Sequence, residues 1–150
     1  MQIGELARQT GCEVETIRYY EREGLLPAPA RSASGYRRYE PGHVEQLNFI
    51  RHCRSLGMSL ADIRQLADYH QHPAPEPCDR VNALIDDQIR RVHSQIETLQ
   101  QLEQQLLALR GRCHSPHTLA DCGILKTLED ASSGEPCVCH PPATGKKIAG

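Results

Sequence analysis

Tryptophan is absent from this 150-residue sequence and phenylalanine occurs once, so aromatic residues make up only 4 % of it. Few large side chains mean a small core, and small cores lean on helix packing or on a partner chain. Also missing is any apolar run near the roughly 18–20 residues that a membrane span requires, and no charged start leads into an apolar block. A cytoplasmic setting without a membrane partner is the expectation. There is no Gly-rich phosphate loop and no pair of carboxylates on a facing scaffold, and so little core leaves no pocket in which a cysteine nucleophile and a histidine could work as an enzyme. Excess charge is lacking too: the net charge of −2 carries no global sign of nucleic acid, so the distribution of charge has to be read instead.

Cysteine, by contrast, is plentiful, with seven residues. An odd number argues against a complete set of internal disulfides, and a reducing cytosol argues against any. Metal ligation then competes with buried structural thiols. Cys12 and Cys53 read as core or turn residues, because free cysteine packs like a small hydrophobe. The stretch "RCHSPHTLADCG" at 112–123 is different: it holds Cys113 and Cys122 with His114 and His117 between them. Two thiols and two imidazoles in a short loop pose the question of a missing ligand.

The amino-terminal segment reads as two short helices around Thr10-Gly11, with Ile3, Leu6 and Ala7 on one face and Val14 with Ile17 opening a second. Gly24 supplies a helix stop. Helix, glycine turn, helix is the pattern of a helix-turn-helix. Glu15, Thr16, Arg18, Tyr19 and Arg22 point away from the Val14/Ile17 stripe, a face able to offer donors to base edges and phosphates. A tight hairpin follows, with Ser-Ala-Ser-Gly before Tyr36-Arg37-Arg38-Tyr39. Between positions 18 and 38, five arginines stand against two glutamates, so a basic patch lies inside an acidic chain. Two more helices are expected over 41–57 and 59–70, the second opened by Ser59 and Asp62 as a capping box.

Pro73, Pro75 and Pro77 interrupt the helical pattern, after which no proline or glycine occurs from Asp79 to Arg110. Ile85, Val92, Leu99 and Leu106 recur every seven residues, flanked by Leu84, Ile89, Ile96, Leu102 and Leu109. That spacing predicts one long helix with a coiled-coil seam, whose obvious mate is its own copy. The expected organisation is a DNA-binding domain over 1–72, a hinge over 73–78, a dimerisation helix over 79–111, a loop and short helix over 112–130, and a flexible tail over 131–150. Cys78 precedes the long helix and Cys113 follows it, so a straight helix holds them about 50 Å apart. One chain therefore cannot bring both to one ion. Two antiparallel copies would set Cys78 of one beside Cys113 and Cys122 of the other. Three polarisable thiolates suit soft or borderline ions such as Pb(II), Cd(II) and Hg(II), whereas Zn(II) prefers a fourth ligand, which His114 or His117 could give.

The runs "IGELARQTG", "VETIRYYEREGLLP", "SGYRRY" and "FIRHCRSLGMSLADI", together with Cys78, Cys113 and Cys122, resemble the MerR family of metal-responsive transcription regulators over about residues 1–125. "RHCRSLGMSLADI" and the "CGIL" at 122–125 resemble its lead/cadmium-responsive branch. The resemblance implies a mainly α fold: a winged helix-turn-helix, a long antiparallel coiled-coil helix and a metal-binding loop. It implies a homodimer on a near-palindromic operator in double-stranded promoter DNA, distorting it so that RNA polymerase uses it when Pb(II) or Cd(II) is bound, with Zn(II) or Hg(II) sensing and thiol redox sensing as alternatives. DNA contacts would fall on Thr16, Arg18, Tyr19 and Arg22, and on Tyr36, Arg37 and Tyr39 of the wing. Metal contacts would fall on Cys78, Cys113 and Cys122. Beyond that pattern, Cys137, Cys139 and His140 follow Gly/Ser/Pro-rich sequence, and read evenly as an auxiliary metal-capture arm with His114 and His117 or as an incidental tail.

Overall fold

The computed structural model describes residues 1–114 and 118–137. It is mainly helical: α1 Ile3–Thr10, α2 Val14–Arg22, a two-stranded hairpin of β1 Ala30–Arg31 and β2 Arg37–Arg38, then α3 Pro41–Ser55, α4 Leu60–Gln71, α5 Asp79–Arg110 and α6 Gly123–Ser132. The hairpin is antiparallel, with Ala30 opposite Arg38 and Arg31 opposite Arg37. No helix among the described residues is long and apolar enough to cross a membrane.

Two compact units are present, Met1–Gln88 and Ile89–Gly150. The first is built on Leu6, Ile17, Leu26, Leu47, Ile50 and Ile63, all fully buried. Cys12 and Cys53 belong to this core, and burial pushes both thiols up from their ordinary pKa, which keeps them protonated and inert. The opening turn of α4 is capped by Ser59, whose hydroxyl accepts the Asp62 amide. At the start of α3 the cap is reciprocal: Glu40 accepts from the His43 amide while His43 Nδ1 accepts from the Glu40 amide at 3.0 Å. Gln88, in the third turn of α5, donates to the Leu56 carbonyl at 2.9 Å, so the opening turns of that helix belong with the first unit.

The turn between α1 and α2 depends on Gly11, whose φ of 63° lies in the left-handed region. Arg51 of α3 reaches under it and donates to the Thr10 carbonyl, and a Cβ on Gly11 would sit 3.3 Å from the Arg51 guanidinium. Arg51 thus satisfies a carbonyl that the end of α1 leaves open, and ties the turn to the core. Gly11→Ala is expected to cost ~1–2 kcal/mol for the left-handed backbone alone, read as a lower urea midpoint with an unchanged slope. An unchanged midpoint would contradict the assignment.

Candidate nucleic-acid interface and metal loop

The basic patch resolves into α2 and the hairpin. On α2, Ile17 and Tyr20 turn inward while Tyr19 is 39 % exposed and Arg22 is exposed. Thr16 and Arg18 are half-buried, and Arg18 forms an ion pair with Glu15 at 2.5 Å. On the hairpin, Tyr36 is 68 % exposed and Arg37 is exposed. The turn between the strands is closed by the Ser32 amide donating to the Tyr36 carbonyl and by Ser32 Oγ accepting from the Tyr36 amide.

Tyr39 is the exception among the seven residues expected to face DNA. Its side chain is only 2 % exposed, and its hydroxyl donates to Glu21 Oε1 at 2.5 Å. Burial, followed by that carboxylate, pushes the phenol far above its usual range. A phenol so placed has neither surface nor a free donor for a phosphate, so its expected DNA contact is corrected to an internal one. Glu21, on the other hand, was overlooked because it lies in a charged run. Its spacing held the signal: Val14, Ile17 and Glu21 fall at three- and four-residue steps, placing the carboxylate on the inner stripe of α2.

The cysteines divide into two places. Cys78 is exposed just ahead of α5, with the Asn82 amide group 3.8 Å from its sulfur. It opens onto a surface groove of about 370 Å³ lined by Tyr69, His72, Pro73, Arg80 and Val81 among others. In the second unit, Cys113 and Cys122 come together. Cys122 is the N-cap of α6, and its thiol is lowered in pKa chiefly by the Leu125 amide, with the Ile124 amide and the Cys113 thiol adding to it. Backbone N–H groups at a helix start stabilise a thiolate, the form that binds metal.

Gly123 makes this closeness possible. A Cβ there would overlap the Arg112 carbonyl oxygen and lie 3.2 Å from the Arg112 carbonyl carbon, so the backbones on either side of the two cysteines touch only because residue 123 has no side chain. His114 is exposed beside Cys113; His117, Cys139 and His140 lie outside the described residues. Cys137 is buried and disulfide-bonded. Among the described residues no group of three His, Cys, Asp or Glu side chains could hold an ion within one chain. Two adjoining thiols are an incomplete ligand set.

Residues 1–70 match the family model described as MerR HTH family regulatory protein, and residues 44–109 that described as MerR, DNA binding. The ZntR homolog of Haemophilus influenzae, an HTH-type transcriptional regulator, is 39 % identical over 112 residues, covering 75 % of this chain and 82 % of the relative. The chain belongs to the MerR family. Its membership makes it a DNA-binding, metal-responsive transcriptional regulator and not an enzyme. Among solved MerR-family structures, PbrR691 from Ralstonia metallidurans CH34, in complex with lead(II), shares 45 % identity and superposes with a TM-score of 0.75 over 85 % of this chain and 98 % of its own. MerR of Bacillus megaterium MB1, in complex with mercury(II), shares 32 % identity with a TM-score of 0.66, over 86 % of this chain and 99 % of its own.

Gly123→Ala should displace the Arg112 carbonyl and part the two thiols. Trapping of the Cys113/Cys122 pair by phenylarsine oxide, which bridges two adjacent thiols with loss of water, is expected to weaken about 10-fold or more, as for other changes that support metal ligands from behind. Trapping equal to that of wild type would remove Gly123 from this role.

Proposed function

We propose that the protein is a Pb(II)- or Cd(II)-responsive activator of metal-resistance genes that works in the cytoplasm as a homodimer on a palindromic promoter operator. The observation that carries this reading is the split ligand set. Cys113 and Cys122 adjoin at the start of α6, Cys78 stands ahead of an unbroken 32-residue helix, and no third donor completes the pair within the described residues of one chain. The third thiolate is Cys78 of the partner subunit. An antiparallel pairing of α5 supplies it twice per dimer and covers the helix's apolar stripe, with Ile89, Val92, Ile96, Leu99, Leu102 and Leu106 all exposed in the single chain. A set of three thiolates favours soft ions, and the likeness to a lead(II)-bound MerR-family structure at 45 % identity supports lead as the first candidate.

Thr16, Arg18, Tyr19 and Arg22 on α2, with Tyr36 and Arg37 on the wing, are the residues proposed to contact DNA. Their guanidinium groups would neutralise phosphates and release counterions, while exposed side chains of α2 reach base edges in the major groove. Metal acts by binding one arrangement of the dimer better than another. Closing the shared site draws one chain's hinge against the other chain's loop, and the DNA distortion that follows lets RNA polymerase use the promoter. His114 keeps Zn(II) as a second reading, because it stands beside Cys113 and could add a nitrogen ligand. Hg(II) sensing is supported by the mercury(II)-bound relative at 32 % identity. Contact between the Cys113 and Cys122 thiols also suits a redox response.

Titration of the reduced protein with Pb(II), followed by ultraviolet thiolate-to-metal absorbance, tests the reading. Wild type is expected to show a strong band, and Cys78→Ser and Cys122→Ser each to lose it. A band that persists in Cys78→Ser would sink the three-thiolate site. A band that requires Cys78 but is readily displaced by Zn(II) would leave the site standing and change the metal. A promoter response to peroxide and none to metal under reductant would favour the redox reading.

A further inference from the structure

The wing hairpin has two residues in each strand, all of them exposed. Two such strands cannot hold an orientation by themselves, so something outside the hairpin has to hold Arg37. The contact is Glu21 of α2. One of its carboxylate oxygens accepts from Tyr39 Oη at 2.5 Å, and the other lies 3.6 Å from Arg37 Nε. Its side chain is 11 % exposed while that of Arg37 is 45 % exposed. Tyr39 is in turn pinned through its backbone: its amide donates to the Met1 carbonyl at 2.9 Å, and the Met1 ammonium donates to the Tyr39 carbonyl at 2.8 Å. The carboxylate therefore faces one fixed group and one movable group. It meets Arg37 at Nε, and the rest of that side chain stays open to solvent.

We infer that Glu21 is a positioning residue for DNA binding, which locks the wing to α2 through Tyr39 and aims the Arg37 guanidinium outward at a phosphate. The inference rests on the operator-binding reading above and adds a residue to it. It also makes a prediction opposite in sign to bulk electrostatics. Glu21 is a negative charge inside the segment proposed to face DNA, so a role limited to charge means that Glu21→Gln tightens DNA binding. A positioning role means that the same change weakens it. Glutamine keeps an acceptor for Tyr39 but presents no anion to Arg37, which frees the guanidinium to adopt other rotamers.

The test uses the full chain and a fluorescein-labelled duplex enriched by the wild-type protein from a randomised pool, with Kd read by anisotropy. Glu21→Gln is expected to weaken binding about fivefold, the upper size of an ion pair with one partly exposed partner. In an Arg37→Ala background the same change should cost less than about twofold, because the two side chains act as one unit. Tyr39→Phe, which removes only the hydroxyl, should weaken binding in the same direction and serves where Glu21→Gln folds poorly by circular dichroism. Binding as tight as wild type or tighter in Glu21→Gln, or an equal loss with and without Arg37, overturns the inference and leaves operator binding intact. If Arg37→Ala itself binds like wild type, the wing contact falls and the inference falls with it.

Discussion

A helix of 32 residues with no buried side chain is the constraint on which the rest of this structure depends. Isolated helices are marginal in water, and most helical stability in proteins comes from burying an apolar face. Here that face is continuous, with Leu99 63 % and Ile89 60 % exposed, and it repeats at the interval a coiled coil needs. In the proposed dimer the demand for a partner helix and the demand for a third thiolate are met by the same act of pairing. The helix is about 48 Å long, so in the proposed site one chain does not complete its own ligand set and the partner does. In the proposed site, sensing and assembly are one physical event, and the α6 N-cap that favours the Cys122 thiolate prepares the half-site before any ion arrives.

The side proposed to face DNA follows a different rule. Its arginines are set by carboxylates rather than by apolar packing, with Glu15 on Arg18 and Glu21 on Arg37. Exposed ion pairs contribute little stability, and the Arg18 pair is of that kind, at 43 % and 77 % side-chain exposure. Glu21, largely shielded and shared between two elements, is placed where its loss alters geometry. A chain with net charge −2 thus presents a local basic face whose shape is held by acids.

Periodicity carried much of this in advance. α5 runs over Asp79–Arg110, the span free of proline and glycine. Gly11, Gly24 and Gly57 each take positive φ where helical patterns stop. What periodicity could not supply was the face of the hairpin. In Tyr36-Arg37-Arg38-Tyr39 a period of two places Arg37 with Tyr39 and Tyr36 with Arg38, but which pair folds inward depends on α2, and Tyr39 was taken as a surface group. The Arg51 contact beneath Gly11 was likewise invisible, because it joins positions 41 residues apart. The contact of Gly123 with the Arg112 carbonyl gave no signal beyond a glycine at a helix start. Close backbone approach is a property of the folded loop.

The central claim is that each metal site is made by two chains, and a mixed dimer tests it most directly. Cys78→Ser and Cys122→Ser subunits carrying different affinity tags would be co-refolded, the heterodimer isolated, and Pb(II) bound per dimer counted. One end of such a dimer pairs an intact Cys78 with an intact Cys113/Cys122 loop, and the other end lacks both Cys78 and Cys122. The account predicts one tight site in the heterodimer, none in either mutant homodimer and two in wild type. A heterodimer that binds no lead, or a Cys78→Ser homodimer that binds as wild type does, would contradict it.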